Sequence, residues 1–125
     1  MYEYKARILD IHDADTVRVM LDQGLREYRD MFIRFAGINA PELSTPEGKT
    51  ARSALVAYLT DYAGDYVPLV IRTLKDKADK YGDRWDGLVW RETDGTWSAT
   101  NQFVTTTPSA NDYLVTKGYA VARTY

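Results

Sequence analysis

The sequence predicts an α+β domain that is mainly β: a small barrel of five short strands, with one long helix after the third strand and a short helix near the C-terminus. Three observations predict it. Five short segments carry strand-like alternation or β-branched apolar runs. One well-punctuated helical segment falls between the third and the fourth. The chain has 125 residues, 45% apolar and 27% charged, enough for one core and too few for two, so residues 1–125 are expected to form a single domain.

From Tyr2 to Ile8 the pattern alternates, with Tyr2, Tyr4, Ala6 and Ile8 on one face and Glu3, Lys5 and Arg7 on the other. Asp13-Ala14-Asp15 interrupts it. Alternation resumes from Thr16 to Leu21 through Val17 and Val19, before the turn signal Asp22-Gln23-Gly24, so a hairpin is expected. A third strand runs from about Glu27 to Ala36, and its period breaks around Met31 and Phe32, where a bulge or bend is expected. Asn39-Ala40-Pro41-Glu42 reads as a loop, because a residue preceding proline is pushed away from helical dihedrals.

The first helix has a start and a stop. Ser44 with Glu47 forms a potential capping box, Pro46 occupies the first turn where its missing N–H costs nothing, and Gly64 stands as the C-terminal cap. Ala51, Ala54, Leu55, Tyr58 and Tyr62 share one face. Val67 to Leu74 is a fourth strand with Pro68 at its start, Lys75 to Arg84 a charged loop, and Leu88-Val89-Trp90 a short fifth strand. The Thr-rich stretch from Trp97 to Pro108 is a loop or small hairpin, and a helix from about Ala110 to Lys117 stops at Gly118. This order matches a closed Greek-key barrel of the OB type, whereas a ferredoxin-like sandwich would alternate its helices differently.

Composition limits the chemistry. With no cysteine and a single histidine, His12, a thiolate metal site is excluded, and any metal must sit on oxygen ligands, which points to calcium or magnesium. The net charge is −2, so recognition of a polyanion must rest on local contacts. The N-terminus lacks an apolar leader and no stretch is long enough to span a membrane, which predicts a soluble, cytoplasmic chain without membrane partners.

Three clusters fall at loops or strand ends, where binding residues concentrate: Asp13-Ala14-Asp15-Thr16-Val17, Arg34 through Glu42, and Asp79-Lys80-Tyr81-Gly82-Asp83-Arg84. Alone, the first reads as a turn and the third as a solvated loop. Arg34 in an apolar strand also reads as a structural partner of Asp15 or Glu42.

In this order, and followed by Asn111 through Gly118, the clusters resemble the thermonuclease family of staphylococcal-nuclease-like, calcium-dependent phosphodiesterases. The family pattern is D-G-D-T-V, then R-x-x-G-(I/V)-D-x-P-E, then D-x-Y-G-R, then a helix ending in glycine. The resemblance spans nearly the whole chain and implies the OB barrel and an endonuclease that hydrolyses DNA, with RNA as a second candidate substrate, leaving 3′-phosphates. It implies that Asp15, Asn39 and the carbonyl of Ala40 hold Ca2+, that Glu42 directs the attacking water, and that Arg34 and Arg84 grip the phosphate. Tyr81, Trp85 and Tyr125 are candidate substrate contacts, with single-stranded DNA as partner of a monomeric chain.

These residue types suit that chemistry on physical grounds. Negative charge grows on the phosphate oxygens as water attacks, and forked guanidinium donors with a hard cation stabilise it. Three departures stand out. Asn39 replaces the usual aspartate and removes one negative charge, Asp83 stretches the Gly-Arg step, and residues 97–108 resemble an insertion. The first two support an alternative, a non-catalytic barrel of the same type that binds nucleic acid or a protein partner.

Overall fold

The computed structural model describes residues 2–73 and 84–123. In chain order its elements are strands β1 (Tyr2–Asp13), β2 (Thr16–Asp22), β3 (Tyr28–Phe35) and β4 (Ile38–Asn39), helix α1 (Pro46–Tyr58), strands β5 (Leu69–Thr73), β6 (Arg84–Arg91), β7 (Thr96–Trp97) and β8 (Phe103–Val104), helix α2 (Ala110–Thr116) and strand β9 (Val121–Ala122). Five of the strands close a barrel in the order β1-β2-β3-β6-β5. Neighbours are antiparallel except β3 and β6, which run parallel. The mainly-β composition, the closed barrel of five strands and the two helices agree with the expected class.

Alternation supplies the core. Ile8, Val17, Val19, Leu21, Met31, Ile33, Phe35, Leu69, Ile71 and Val89 point inward, and Leu55 and Leu59 of the first helical segment and Leu114 of α2 close the barrel. Burying side chains of this kind is worth about 1.5–3 kcal/mol each against leaving them in water. A smaller cluster of Val70, Trp90 and Phe103 forms where the β7–β8 hairpin packs on the barrel, with Trp97 beside it. The Thr-rich stretch is therefore a small hairpin.

The structure corrects several local expectations. The irregularity lies in β1, where the register against β2 shifts between Ile8 and Asp10 and again between Ile11 and Asp13. Arg52 of α1 donates from Nε to the Ile11 carbonyl at 2.9 Å. Strand β3, by contrast, keeps unbroken register with β2 from Tyr28 to Arg34. The period breaks there in the sequence because Phe32, an apolar residue, faces outward at 38% exposure while Met31 and Ile33 on either side are buried.

Helix α1 is capped by Thr45, not Ser44: with Pro46 as the first helical residue, the cap must immediately precede it, and Thr45 Oγ1 accepts the Gly48 N–H at 3.0 Å. The helix stops at Tyr58 with Leu59 as its C-cap, so Gly64 belongs to a later turn, and Tyr62 lies beyond the helix, fully exposed. Strand β6 is longer than the Leu88–Trp90 core because Arg84 and Asp86 mask its first residues as loop-like. The charged loop from Lys75 to Asp83 lies outside the described residues.

Helix α2 is locked to the barrel by one buried amide. Asn111, 2% exposed, accepts the Val89 N–H at 3.0 Å and donates from Nδ2 to the carbonyls of Ala36 at 2.9 Å and Gly87 at 3.1 Å. Asn111→Ala is expected to cost about 2–4 kcal/mol, since it leaves buried backbone groups unpaired. Urea unfolding measures this, and a loss under about 1 kcal/mol would show that water replaces the amide. Among the described residues no helix is long and apolar enough to cross a membrane.

Candidate functional site

The site is built around the β1–β2 turn. Asp13 pairs with Thr16 across the hairpin, so Ala14 and Asp15 form a two-residue connection, and Asp13 Oδ1 accepts the Asp15 N–H at 3.1 Å. Ala14 is fully buried, which presses the turn against the barrel. Each group of Asp15 is then engaged. Its carbonyl accepts the Phe35 N–H at 2.8 Å, Oδ1 accepts the Thr16 hydroxyl at 3.2 Å, and Oδ2 accepts the Ala40 N–H at 3.0 Å.

The segment after β3 returns to this turn. Gly37, at φ +77°, adopts the left-handed conformation that reverses the chain, and β4 then pairs with β9, Ile38 opposite Ala122 and Asn39 opposite Val121. The Arg123 N–H donates to the Gly37 carbonyl at 2.7 Å. The C-terminal segment thus holds Asn39 in place, a role the sequence signals only as the short apolar run Tyr119-Ala120-Val121-Ala122 after Gly118.

Arg34 is the hub. Its Nη2 donates to Asn39 Oδ1 at 2.7 Å and to the Ile38 carbonyl at 3.3 Å, and it lies 3.7 Å from Asp15 Oδ2. Its Nη1 reaches the Phe35 carbonyl at 3.4 Å. One guanidinium nitrogen therefore touches both side chains expected to hold a cation. A cleft of about 500 Å³ opens beside it, lined by His12, Asp13, Asp15, Thr16, Phe32, Arg34 and Arg84. Arg84 begins β6 opposite Phe32, two residue pairs along from Arg34 opposite Asp86. Despite the inserted Asp83, both arginines line one cleft.

Other expected residues stand apart. Glu42 is exposed on the loop before α1 and does not line the cleft; among the described residues its carboxylate takes part in no hydrogen bond or ion pair. Its carbonyl accepts both the N–H and the hydroxyl of Thr45, at 3.0 and 2.6 Å, and Gly48 packs directly beneath it. Trp85, opposite Ile33, packs toward the core edge-on to Tyr4, with ring centroids 6.3 Å apart, rather than into the cleft. Tyr81 and Tyr125 lie outside the described residues.

The two carboxylates at the turn titrate apart. Burial, then the hydrogen bond and negative charge of Asp15, push the Asp13 carboxyl up to about 6. Burial acts to raise Asp15 as well, but the hydrogen bonds of Asp13, Ala40 and Thr16 and the charge of Arg34 outweigh it and hold Asp15 below its ordinary value. A raised carboxyl keeps its proton in the folded chain while the unfolded chain has lost it. The Asp13 contribution therefore favours the fold below about pH 4 and is lost as pH rises through about 6. Asp13→Asn is expected to be more stable than wild type at pH 7.5, with the advantage shrinking toward pH 4.5. Urea titrations at the two pH values check this, and an equal difference at both would contradict it.

The donor set is all oxygen: an ionised Asp15 carboxylate, the Asn39 amide and the Ala40 carbonyl. It fits a hard cation by chemistry, with one formal negative charge, provided that Arg34 gives up its contacts with Asp15 and Asn39. Among the described residues no three His, Asp or Glu side chains gather as a metal cluster. No protein-family model matches the chain, and no characterised protein shows a significant match to it.

Proposed function

We propose that the chain is a metal-dependent phosphodiesterase of the thermonuclease type, built on an OB Greek-key barrel and hydrolysing single-stranded DNA, with RNA as a second substrate. The observation that carries this reading is the gathering of Arg34, Arg84 and Asp15 in one cleft, with Asn39 and Ala40 held against the same turn. These residues come from separate stretches of the chain.

Arg34 and Arg84 present forked donors that bind the phosphate and stabilise the charge that builds on its free oxygens. As phosphate enters, Arg34 exchanges Asn39 and Asp15 for it, which releases the Asp15 carboxylate and the Asn39 oxygen. Asp15, Asn39 and the Ala40 carbonyl are the groups that would hold Ca2+. When bound, the ion supplies electrostatic stabilisation of the phosphate charge and orientation of water. Glu42, on the loop directly after Pro41, accepts the proton of the attacking water. The water oxygen bonds to phosphorus, the P–O5′ bond breaks, the 5′-oxygen takes a proton, and the 3′-phosphate remains.

The test is cleavage of a labelled single-stranded oligonucleotide by wild type and by Glu42→Gln in calcium. A rate loss of about 10²-fold or more in the variant is expected of a general base. Equal rates would remove Glu42 from the mechanism. Two observations favour a second reading, a non-catalytic barrel that binds nucleic acid or a protein partner: Arg34 occupies Asn39 at 2.7 Å, and Glu42 stands outside the cleft lining. Binding without turnover by wild type would select it.

A further inference from the structure

Phe32 is anomalous. Its neighbours Met31 and Ile33 are buried at 1% and 0% exposure, whereas Phe32 is turned outward at 38% on a strand in regular register. Nothing in the barrel core uses it. A phenylalanine left 38% exposed forgoes part of the about 1.5–3 kcal/mol that full burial is worth, so another contact is the reason to place it there.

Its surroundings say what that contact is. Across the sheet, Phe32 lies opposite Arg18 of β2 and opposite Arg84 of β6, and two residues along the same face comes Arg34. Directly opposed residues on antiparallel strands have Cβ atoms about 4.5–5.5 Å apart, so Arg18, itself paired with Asp30, lies beside the ring on β2, and Arg84 stands in register with it on the parallel β6. Phe32, Arg34 and Arg84 line the same cleft as Asp15. An exposed aromatic face among guanidinium groups is the arrangement that binds single-stranded nucleic acid, with bases stacked on the ring and phosphates held by the cations.

We infer that Phe32 is the stacking platform for the nucleobase next to the phosphate held by Arg34 and Arg84, and that it makes the site select single strands over duplex. This rests on the nucleic-acid reading above and adds to it a residue and a source of strand selectivity. A base within a duplex is already stacked and paired, and reaching Phe32 would cost its unstacking. The contact is indifferent to base identity, because every base has a π-face.

The experiment is fluorescence anisotropy with a labelled single-stranded oligonucleotide, the same oligonucleotide made abasic at one position after another, and a duplex, all in chelator so that binding is read without cleavage. Wild type, Phe32→Ala and Phe32→Trp are compared, with Phe32→Leu as the control for lost bulk. Phe32→Ala and Phe32→Leu are expected to weaken single-strand binding about 5-fold to 150-fold, with Phe32→Trp retaining it. Duplex binding should be unchanged, and one abasic position should weaken wild type as much as Phe32→Ala weakens binding of the intact strand. Equal binding by wild type and Phe32→Ala, with no sensitive abasic position, would overturn this inference while leaving the nucleic-acid reading standing. Failure of wild type to bind any of the three ligands would overturn the nucleic-acid reading, and this inference with it.

Discussion

Arg34→Ala is expected to slow cleavage of single-stranded DNA by about 10³-fold or more, and Arg34→Lys to recover little of that loss. A guanidinium that meets phosphoryl charge at its transition state is worth about 10³–10⁵ in rate. Arg34 is suited to the task because only 13% of its side chain is exposed, where solvent screens its charge poorly. It is also oriented in advance by the carbonyls of Ile38 and Phe35. A lysine ammonium is a compact charge without the planar fork and cannot reproduce that set. Single-turnover rates at saturating DNA separate this effect from binding. A fully active Arg34→Lys enzyme would show that simple charge suffices.

The same substitution tests the electrostatics of the turn. Arg34 is among the groups that hold the Asp15 carboxyl low, so Arg34→Ala should move Asp15 back toward its ordinary value. Measured against its own neutral-pH stability, the variant should therefore lose less on acidification through the ordinary carboxylate range than wild type does, because the share of acid destabilisation that comes from Asp15 shrinks.

Gly48→Ala is expected to destabilise the protein by about 2 kcal/mol and to reduce cleavage by about 10²-fold. A Cβ at this position would stand 1.9 Å from the Glu42 carbonyl oxygen, 2.5 Å from its carbon and 2.9 Å from the Leu43 Cα. All three are backbone atoms, so no side-chain rotation relieves the clash. The Glu42 loop must move, and the bonds from Thr45 to the Glu42 carbonyl move with it. Alanine's better helix propensity, about 1 kcal/mol, offsets only part of that cost. Thr50→Ala, on the exposed side of the same helix, is the control and should stay within about 0.5 kcal/mol of wild type. Activity in Gly48→Ala equal to that of wild type would show that the position of Glu42 does not matter to the chemistry.

The general architecture was legible because it rests on local pattern. The alternation of Val17, Val19 and Leu21, the β-branched run before Thr73 and the Ala110–Gly118 segment each state their element independently. What escaped depended on contacts between distant parts of the chain. Thr45 and Ser44 are both good caps by type, and only the position of Pro46 in the folded helix decides between them. The β1 bulge is stabilised by Arg52 from α1, which no reading of β1 alone could supply. Pairing of β4 with β9 joins Asn39 to Val121 across most of the chain.

At the site, residue types were readable and their engagement was not. The motif order pointed to Asp15, Arg34, Asn39, Ala40 and Arg84 as neighbours, and the folded chain places Arg34 against Asp15 and Asn39 and opens one cleft that Arg84 shares. Only the fold shows that Arg34 already holds the Asn39 oxygen, that Trp85 turns toward the core, and that Phe32 faces out. The last had a trace in the sequence, the broken period of β3, which suits an outward aromatic as well as a bulge.

The most direct test of the central claim is cleavage of a labelled single-stranded DNA by wild-type protein across a calcium series into the millimolar range, with a chelator control. The account predicts cleavage that rises with calcium, stops on chelation and leaves 3′-phosphate ends. Intact DNA across the whole series, with DNA binding retained, would contradict the assignment as a nuclease and identify the barrel as a binding module.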